Sequence, residues 1–390
     1  MKILHVIPYM HPAGGGPPVV VDRVCHELNE LEVQADILTT NLYAKGDDQS
    51  WKEVWQSADR IQTQPVAQQS SYAKSPALLN ALRQNINEYD LVNLHTLWTH
   101  SSRAVRAVCQ SAQVPYVVMP HGMLDPNSMQ RKRLKKQIYG RLIEFPIIRA
   151  SAGLLCTHEE EARLASESVS SLPTAYITPL GADSPPDKRE TLRHEFYQSH
   201  PELQNKPTVV FLSRLHEKKG LDLLIPAIKV LRQSVPEVRL LLVGSGDASY
   251  EKFLKDLIVQ EEIGDSVIMT GNLSGREKWQ AMAAGDIFAL SSYQENFALV
   301  VVDALALGVP VVLSNRVNIW SNIVEANAGL ECRLEPKHIA EQLQSLLLSP
   351  EKCRTMSANG QQLVTQQFTW QRCAERTKAA YQSILKADHS

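Results

Sequence analysis

The sequence predicts an α/β protein built as two doubly wound, parallel-sheet domains, and three observations lead there. Short apolar strands alternate with helical patterns along the whole chain, the signature of βαβ units with helices on both faces of a parallel sheet. The 390 residues are enough for two domains of ordinary size, each with its own core. The run Gly181–Asp187, GADSPPD, has the composition of a linker and falls near the middle of the chain.

The strands expected in the first half are Ile3–Pro8, Gln34–Thr39, Leu91–Leu94, Tyr116–Met119 and Gly153–Cys156. Those of the second half are Val209–Ser213, Arg239–Val243, Ser266–Thr270, Ile287–Leu290 and Pro310–Leu313. Both halves open alike, KILHVIPYMHPAGGGPP and TVVFLSRLHEKKGLDLL: a strand, a glycine-containing polar loop, then a helix. Open α/β sheets bind ligands at the carboxyl ends of their strands, so a cleft between two such domains is the expected site.

Composition narrows the function classes. A hydrophobic fraction of 44% and a charged fraction of 21% are those of a soluble globular protein, and a net charge of −2 gives no reason to expect a nucleic-acid partner. The six cysteines are scattered with no C-x-x-C pair and read as free thiols in a reducing compartment. The apolar run Ile3–Ile7 is broken by Pro8, too short for a signal peptide, and no segment approaches a membrane span. The expected location is the cytoplasm.

Three loops carry candidate chemistry. Gly14, Gly15 and Gly16 let the loop after the first strand approach a ligand, and the following helix, with Val19, Val20, Val24 and Leu28 at helical spacing, would point its N-terminus at an anion. A mere tight turn is the plainer alternative. G-x-G-x-x-G is absent here, and Gly244-Ser-Gly246 lacks the third glycine, so a dehydrogenase is poorly supported. In Ser213–Gly220, SRLHEKKG, Arg214 and Lys219 stand beside a helix N-terminus, where cations are unfavourable unless an anion lies between. A diphosphate would satisfy both; a solvated basic loop is the alternative. His121 ends a strand next to Gly122, a place as often structural as catalytic. The chain has no D-x-D pair and no H-E-x-x-H, so metal chemistry has no visible support.

The stretch SYQENFALVVVDALALGVPVVL poses a separate problem, because Asp303 lies inside the otherwise apolar run Ala298–Leu307. Gly308 and Pro310 read as a helix stop before a buried strand. A carboxylate buried in such a helix costs on the order of a few kcal/mol unless something pairs with it. Either the fold or a ligand supplies that partner.

Taken in order, Gly14–Gly16, His121-Gly122, Arg214 with Lys219-Gly220, Gly244-x-Gly246 and Glu295-x7-Asp303 resemble the retaining glycosyltransferases of family 4. These have the GT-B fold, two Rossmann-like domains facing across a cleft. The resemblance covers essentially the whole chain and is most specific at Glu295-Asn-Phe with its trailing helix, similar to the family's E-x7-E. It implies that Glu295 accepts hydrogen bonds from donor-sugar hydroxyls and that the backbone of Asn296, Phe297, Ala298 and Leu299 meets the sugar and diphosphate. It further implies that Asp303 holds the ribose and so receives its partner from the ligand. Arg214 and Lys219 would neutralise the diphosphate, and His121 would lie by the anomeric carbon. Gly15, Gly16 and Gly244 would line the substrate, and the backbone near Asn272 and Leu273 would contact the base. Eight residues of helix rise roughly 12 Å, about the reach from a sugar past a diphosphate to a ribose. Two departures stand out: Asp303 where the family usually has Glu, and Ala298 where it often has Gly.

The same resemblance implies an acceptor-side domain over 1–182, with the C-terminal helix of about 372–390 packing back on it, and a donor domain over 183–371. It implies transfer of a hexose with retention of configuration from a nucleotide sugar, UDP-glucose favoured, to a saccharide or lipid-linked acceptor in polysaccharide biosynthesis. No cofactor and no metal are expected. A nucleotide-sugar epimerase of the same fold is the alternative enzyme; a catalytically dead binding protein is opposed by the presence of Glu295, Arg214 and Lys219.

One segment lies outside these motifs. Gln130–Pro146 carries six basic residues against one acid, with Leu134, Ile138, Leu142 and Ile143 at helical spacing. Two readings stand: peripheral contact with anionic lipid at the inner face of a membrane through residues 130–149, or a solvated helix packed on its own domain.

Overall fold

The computed structural model describes residues 1–44, 48–130 and 133–388. The chain divides into two compact units, Met1–Leu180 with the segment from Trp370 onward, and Gly181–Thr369.

Unit 1 holds a seven-stranded sheet: β1 (Lys2–Val6), β2 (Gln34–Thr40), β3 (Ile61–Gln64), β4 (Leu91–His95), β5 (Tyr116–Met119), β6 (Gly153–Cys156) and β7 (Ala175–Ile177). Its order is β3-β2-β1-β4-β5-β6-β7 and every pairing is parallel. Unit 2 holds six strands: β8 (Thr208–Leu212), β9 (Arg239–Val243), β10 (Val267–Gly271), β11 (Ile287–Leu290), β12 (Val311–Ser314) and β13 (Gly329–Cys332). They run β10-β9-β8-β11-β12-β13, again all parallel. The order reverses at β1/β4 in one sheet and at β8/β11 in the other, the switch points where open sheets present ligand sites.

All ten strands expected from the sequence are present, four with the expected ends and the others with ends shifted by at most two residues. β3, β7 and β13 were not expected, and each is the outermost strand on its side of a sheet. An edge strand buries only part of its surface, so Ile61–Gln64, Ala175–Ile177 and Gly329–Cys332 carry no continuous apolar run to read.

The core of unit 1 joins sheet residues such as Val6, Val92, Leu94 and Val118 to helix residues such as Leu82, Val105 and Ile148. The C-terminal helix Trp370–Asp388 belongs to this unit. Its Tyr381 is fully buried, and the Asn93 side-chain amide on β4 donates to the tyrosine hydroxyl at 2.7 Å. Its Lys378 donates to the carbonyl of Leu31 at 2.8 Å, at the C-terminal end of helix Gly16–Glu30.

The basic segment forms helix Arg133–Tyr139, a π-helical turn Gly140–Glu144 and helix Phe145–Arg149. Its Arg131 and Lys132 lie outside the described residues. Leu134, Ile138 and Leu142 are 75%, 62% and 73% exposed. Of the apolar stripe only Ile143 packs on the core, while Tyr139 and Lys136 of the same segment meet the Trp98 ring, so the helix packs on its own unit and leaves the other three apolar residues exposed. Among the described residues no helix is long and apolar enough to cross a membrane. All six cysteines are free.

Candidate functional site

In unit 2 the loops leaving β8, β9 and β11 meet backbone to backbone. A Cβ on Gly244 (φ 139°) would lie 1.9 Å from the Ser213 carbonyl oxygen, and one on Gly220 (φ 66°) would lie 2.0 Å from that of Ser291. Only glycine fits such contacts. Leu215 N–H donates to the Ser245 carbonyl at 2.9 Å, Gly244 N–H to that of Gly271 at 2.7 Å, and Tyr293 N–H to that of Lys218 at 2.8 Å. These bonds gather the loops after β8, β9, β10 and β11 at the carboxyl end of the sheet.

Within this cluster Lys219 Nζ lies 2.5 Å from Glu295 Oε1, which also accepts from the Ser292 hydroxyl at 2.9 Å. The two side chains are only 17% and 15% exposed. Glu295 is held through its backbone as well: its N–H donates to the Arg316 carbonyl at 2.9 Å and its carbonyl accepts from Asn318 N–H at 3.2 Å. The sequence reading sent Lys219 to a diphosphate and Glu295 to a sugar; here they meet each other. Arg214 is exposed, and its side chain makes no hydrogen bond or ion pair among the described residues.

Just beyond, Asn296 Oδ1 accepts from the Asn318 amide at 3.3 Å. The Phe297 side chain belongs to the core, 3% exposed and edge-on to Phe368 with ring centroids 5.6 Å apart. Ala298 adopts φ 60°, ψ 70° at the start of helix Leu299–Ala306. That left-handed conformation strains an L residue, which is the physical reason a glycine suits the position. The N–H groups of Phe297, Ala298 and Leu299 have no acceptor among the described residues, and no side chain caps the helix. They form a set of open donors at the positive end of a helix dipole.

Asp303 corrects the sequence reading. It is 6% exposed; Oδ2 accepts from Lys278 Nζ at 3.0 Å and Oδ1 from the Asp183 N–H at 3.1 Å. Burial pushes its carboxyl above the ordinary range, the Lys278 ammonium opposes that shift, and the nearby Asp183 charge adds to it. The fold itself supplies the partner, so burial alone calls for no ligand. Asn272 and Leu273 sit on the loop after β10 between two glycines at positive φ, Gly271 (74°) and Gly275 (51°). Among the described residues no group of three or more His, Cys, Asp or Glu is placed to hold a metal ion.

In unit 1 Gly15 turns at φ 82° and Gly16 opens helix Gly16–Glu30, with open space where a Cβ would stand on either. The helix start is a poorer anion site than expected, because Pro17 and Pro18 in its first turn carry no N–H. His121 has φ 52° and Gly122 φ 73°. Glu161 fixes this turn: Oε1 accepts from Gly122 N–H at 2.6 Å, while Oε2 accepts from Thr157 N–H at 2.7 Å and its hydroxyl at 2.8 Å. His121 Nε2 lies 3.0 Å from His95 Nδ1, and His95 Nε2 lies 2.9 Å from His5 Nδ1. Burial lowers all three, His5 to about 3, His121 to about 4, and His95 well below the usual histidine range with its two neighbours adding to the effect. The chain of imidazoles is neutral near pH 7.

Sequence reasoning missed Lys278, Ser292, Glu161, His95 and His5. The one available signal was a histidine inside each of the apolar strand runs KILHV and LVNLH, since a buried polar ring needs a partner.

Residues 193–363 match the family model described as "Glycosyl transferases group 1", and residues 15–180 match "Glycosyl transferase 4-like domain". A relative from Mycobacterium tuberculosis, "GDP-mannose-dependent alpha-(1-6)-phosphatidylinositol monomannoside mannosyltransferase", is 30% identical over 182 residues, 45% of this chain and 47% of that protein. The chain spans about half the length of the curated relatives it matches. Among solved structures, sucrose-phosphate synthase from Thermosynechococcus elongatus superposes with a TM-score of 0.78 at 18% identity, covering 99% of both chains. Anabaena HepE in complex with UDP and glucose gives 0.76 at 21% identity, covering 98% of this chain and 100% of that one. These likenesses establish the two-sheet architecture as GT-B.

The Asp303 pairing has a measurable consequence. Lys278→Met leaves a buried carboxylate without its cation and should destabilise unit 2 by roughly 3–5 kcal/mol in calorimetry. Adding Asp303→Leu to that variant should recover most of the loss. A Lys278→Met protein as stable as the parent would show that the Asp183 N–H suffices.

Proposed function

We propose that this chain, which belongs to the group 1 glycosyltransferases, transfers a hexose with retention of configuration from a nucleotide sugar to a saccharide or lipid-linked acceptor. The observation that carries the reading is the Lys219–Glu295 pair next to the open N–H groups of Phe297, Ala298 and Leu299, with Arg214, on the loop after β8, having no partner among the described residues. Unit 2 takes the donor, with Gly244 against its phosphates and the backbone of Asn272 and Leu273 on its base. Unit 1, through Gly15, Gly16 and His121, takes the acceptor and the reacting sugar.

Departure of a nucleoside diphosphate builds negative charge on phosphate oxygens as the anomeric carbon becomes cationic. Arg214 and Lys219 stabilise that state more than the ground state, and they do so without a divalent metal. Entry of the diphosphate draws Lys219 away from Glu295, whose carboxylate then accepts from the sugar hydroxyls. The resting pair keeps both side chains aligned, and each exchanges one partner for another without passing through a bare buried charge. Asp303, one methylene shorter than the usual Glu, shares its carboxylate between Lys278 and the ribose hydroxyls.

UDP-glucose is the proposed donor, in polysaccharide biosynthesis at the cytoplasmic face of a membrane. The Anabaena neighbour was solved with UDP and glucose, whereas the name of the mycobacterial relative carries GDP-mannose, so the nucleotide is the first thing to measure. A donor present at about 100 times its Kd stabilises the protein by about 2.7 kcal/mol. In a thermal-shift panel of UDP-, GDP- and ADP-sugars, UDP-glucose should give the largest rise, and turnover should persist in EDTA. A larger shift with GDP-mannose replaces the donor. Turnover lost to EDTA and restored by manganese defeats the metal-free site, and conversion of the sugar without acceptor favours the epimerase.

The two carboxylates should separate kinetically. Glu295→Gln should lower kcat with little change in affinity for free UDP, because its contact strengthens only as the sugar reacts. Asp303→Asn should weaken UDP itself by roughly 1–3 kcal/mol. If calorimetry finds UDP bound as tightly by the folded Asp303→Asn protein, the ribose contact is lost and Asp303 is purely structural.

The exposed stripe Leu134, Ile138 and Leu142, flanked by the exposed basic residues Arg133, Lys135 and Arg141, supports peripheral membrane contact. Replacing the three apolar residues by Ser, or the three basic ones by Gln, should release the protein from phosphatidylserine vesicles while donor hydrolysis continues. Equal vesicle binding by parent and variants, or none by either, removes the membrane contact.

A further inference from the structure

We propose that His5, His95 and His121 form a one-directional hydrogen-bond relay that holds His121 as a neutral donor, its proton on Nδ1, for an oxygen of the substrate. The substrate rests on the function proposed above; the direction of the relay does not.

The three rings come together because of strand order. β1 and β4 are neighbours and β4 and β5 are neighbours, so a histidine on β1, one ending β4 and one just past β5 stand side by side. Ring centroids are 5.2 Å apart for His5 and His95 and 5.3 Å apart for His95 and His121. A neutral imidazole has one N–H and one lone pair. Two successive ring-to-ring bonds can then be made in only two concerted ways. In one, every N–H points toward His121: His5 Nδ1–H donates to His95 Nε2, and His95 Nδ1–H donates to His121 Nε2. In the other, every N–H points back toward His5.

The buried end decides between them. His5 Nε2 is buried and has no hydrogen-bond partner. The Tyr381 ring meets it edge-on with centroids 6.3 Å apart. In the forward arrangement that nitrogen carries a bare lone pair; in the reverse one it carries an N–H. Orphaned buried N–H groups are the rarer and costlier defect, so the forward arrangement is the stable one. At the far end His121 is partly exposed, and its Nδ1 has no partner among the described residues, so solvent or ligand can satisfy it in either state. A charged relay is opposed by burial, and a proton added at a ring-to-ring contact would set two N–H groups face to face.

His121 therefore offers a hydrogen to the substrate and cannot accept the acceptor's proton at Nδ1. His95 and His5 are positioning residues acting through it.

The test is spectroscopic first. In the full chain labelled with ¹⁵N-histidine, two-bond ¹H–¹⁵N correlation distinguishes protonated from bare ring nitrogens. His121 should show a protonated Nδ1 and a bare Nε2 throughout roughly pH 6–8. A protonated Nε2, or an imidazolium, overturns the relay. The kinetic arm uses UDP-glucose hydrolysis. His95→Leu removes the donor to His121 Nε2 and should lower kcat roughly three- to tenfold, the worth of one neutral hydrogen bond, with KM little changed. His95→Gln, whose amide can accept from His5 and donate to His121, should restore it. Full kcat in a folded His95→Leu protein overturns the functional role. A parent that does not turn over UDP-glucose defeats the proposed donor, and the spectrum alone then decides the relay, as it does if His95→Leu fails to fold.

Discussion

The unit 2 site depends on how closely one loop's backbone can approach another's. Gly220 lies against the carbonyl of Ser291 and Gly244 against that of Ser213, each where a methyl group would overlap an oxygen. Because these loops touch, Lys219 on one reaches Glu295 on another without spanning solvent, and the helix start at Leu299 stays open beside them. A side chain at either glycine would push the loops apart and lengthen the Lys219–Glu295 contact before it changed any residue that carries charge. The glycines are thus as much part of the chemistry as the ionic groups, although they offer no functional group of their own.

Asp303 shows where reading from sequence succeeds and where it stops. The run Ala298–Leu307 correctly signals a buried carboxylate, because apolar residues surround it on every side of a helix. The cost of burial correctly demands a partner. Local pattern cannot say which one, since Lys278 is 25 residues away and the Asp183 N–H is 120 away. Burial leaves the fold and a ligand as equal sources of a partner, and here the fold supplies Lys278 and the Asp183 N–H.

The same distinction separates the rest of what was legible. Strands buried on both faces announce themselves as apolar runs, so the interior of both sheets could be read; β3, β7 and β13 could not, because an edge strand is held by backbone pairing as much as by burial. Arg214, Lys219, Glu295 and the glycines are candidates by spacing and resemblance, both properties of short stretches. The histidine relay joins residues 90 and 26 positions apart, and Glu161 reaches 39 residues back to Gly122. Contacts of that kind follow from strand order, and strand order is a property of the whole sheet.

The charges of the unit 2 cluster point in one direction. Each carboxylate discussed there already has a cation, Glu295 with Lys219 and Asp303 with Lys278. Arg214 has none. Among the described residues these groups leave one positive charge unmatched, and three N–H groups of the same unit lack acceptors as well. An anion entering the cluster need not displace an existing pair to find its first contact, and only its further charge competes for Lys219. In the function proposed here the open N–H groups serve binding, while Arg214 and Lys219 respond most to the charge that grows as the bond breaks. On that proposal affinity and rate are set by different groups within one small cluster.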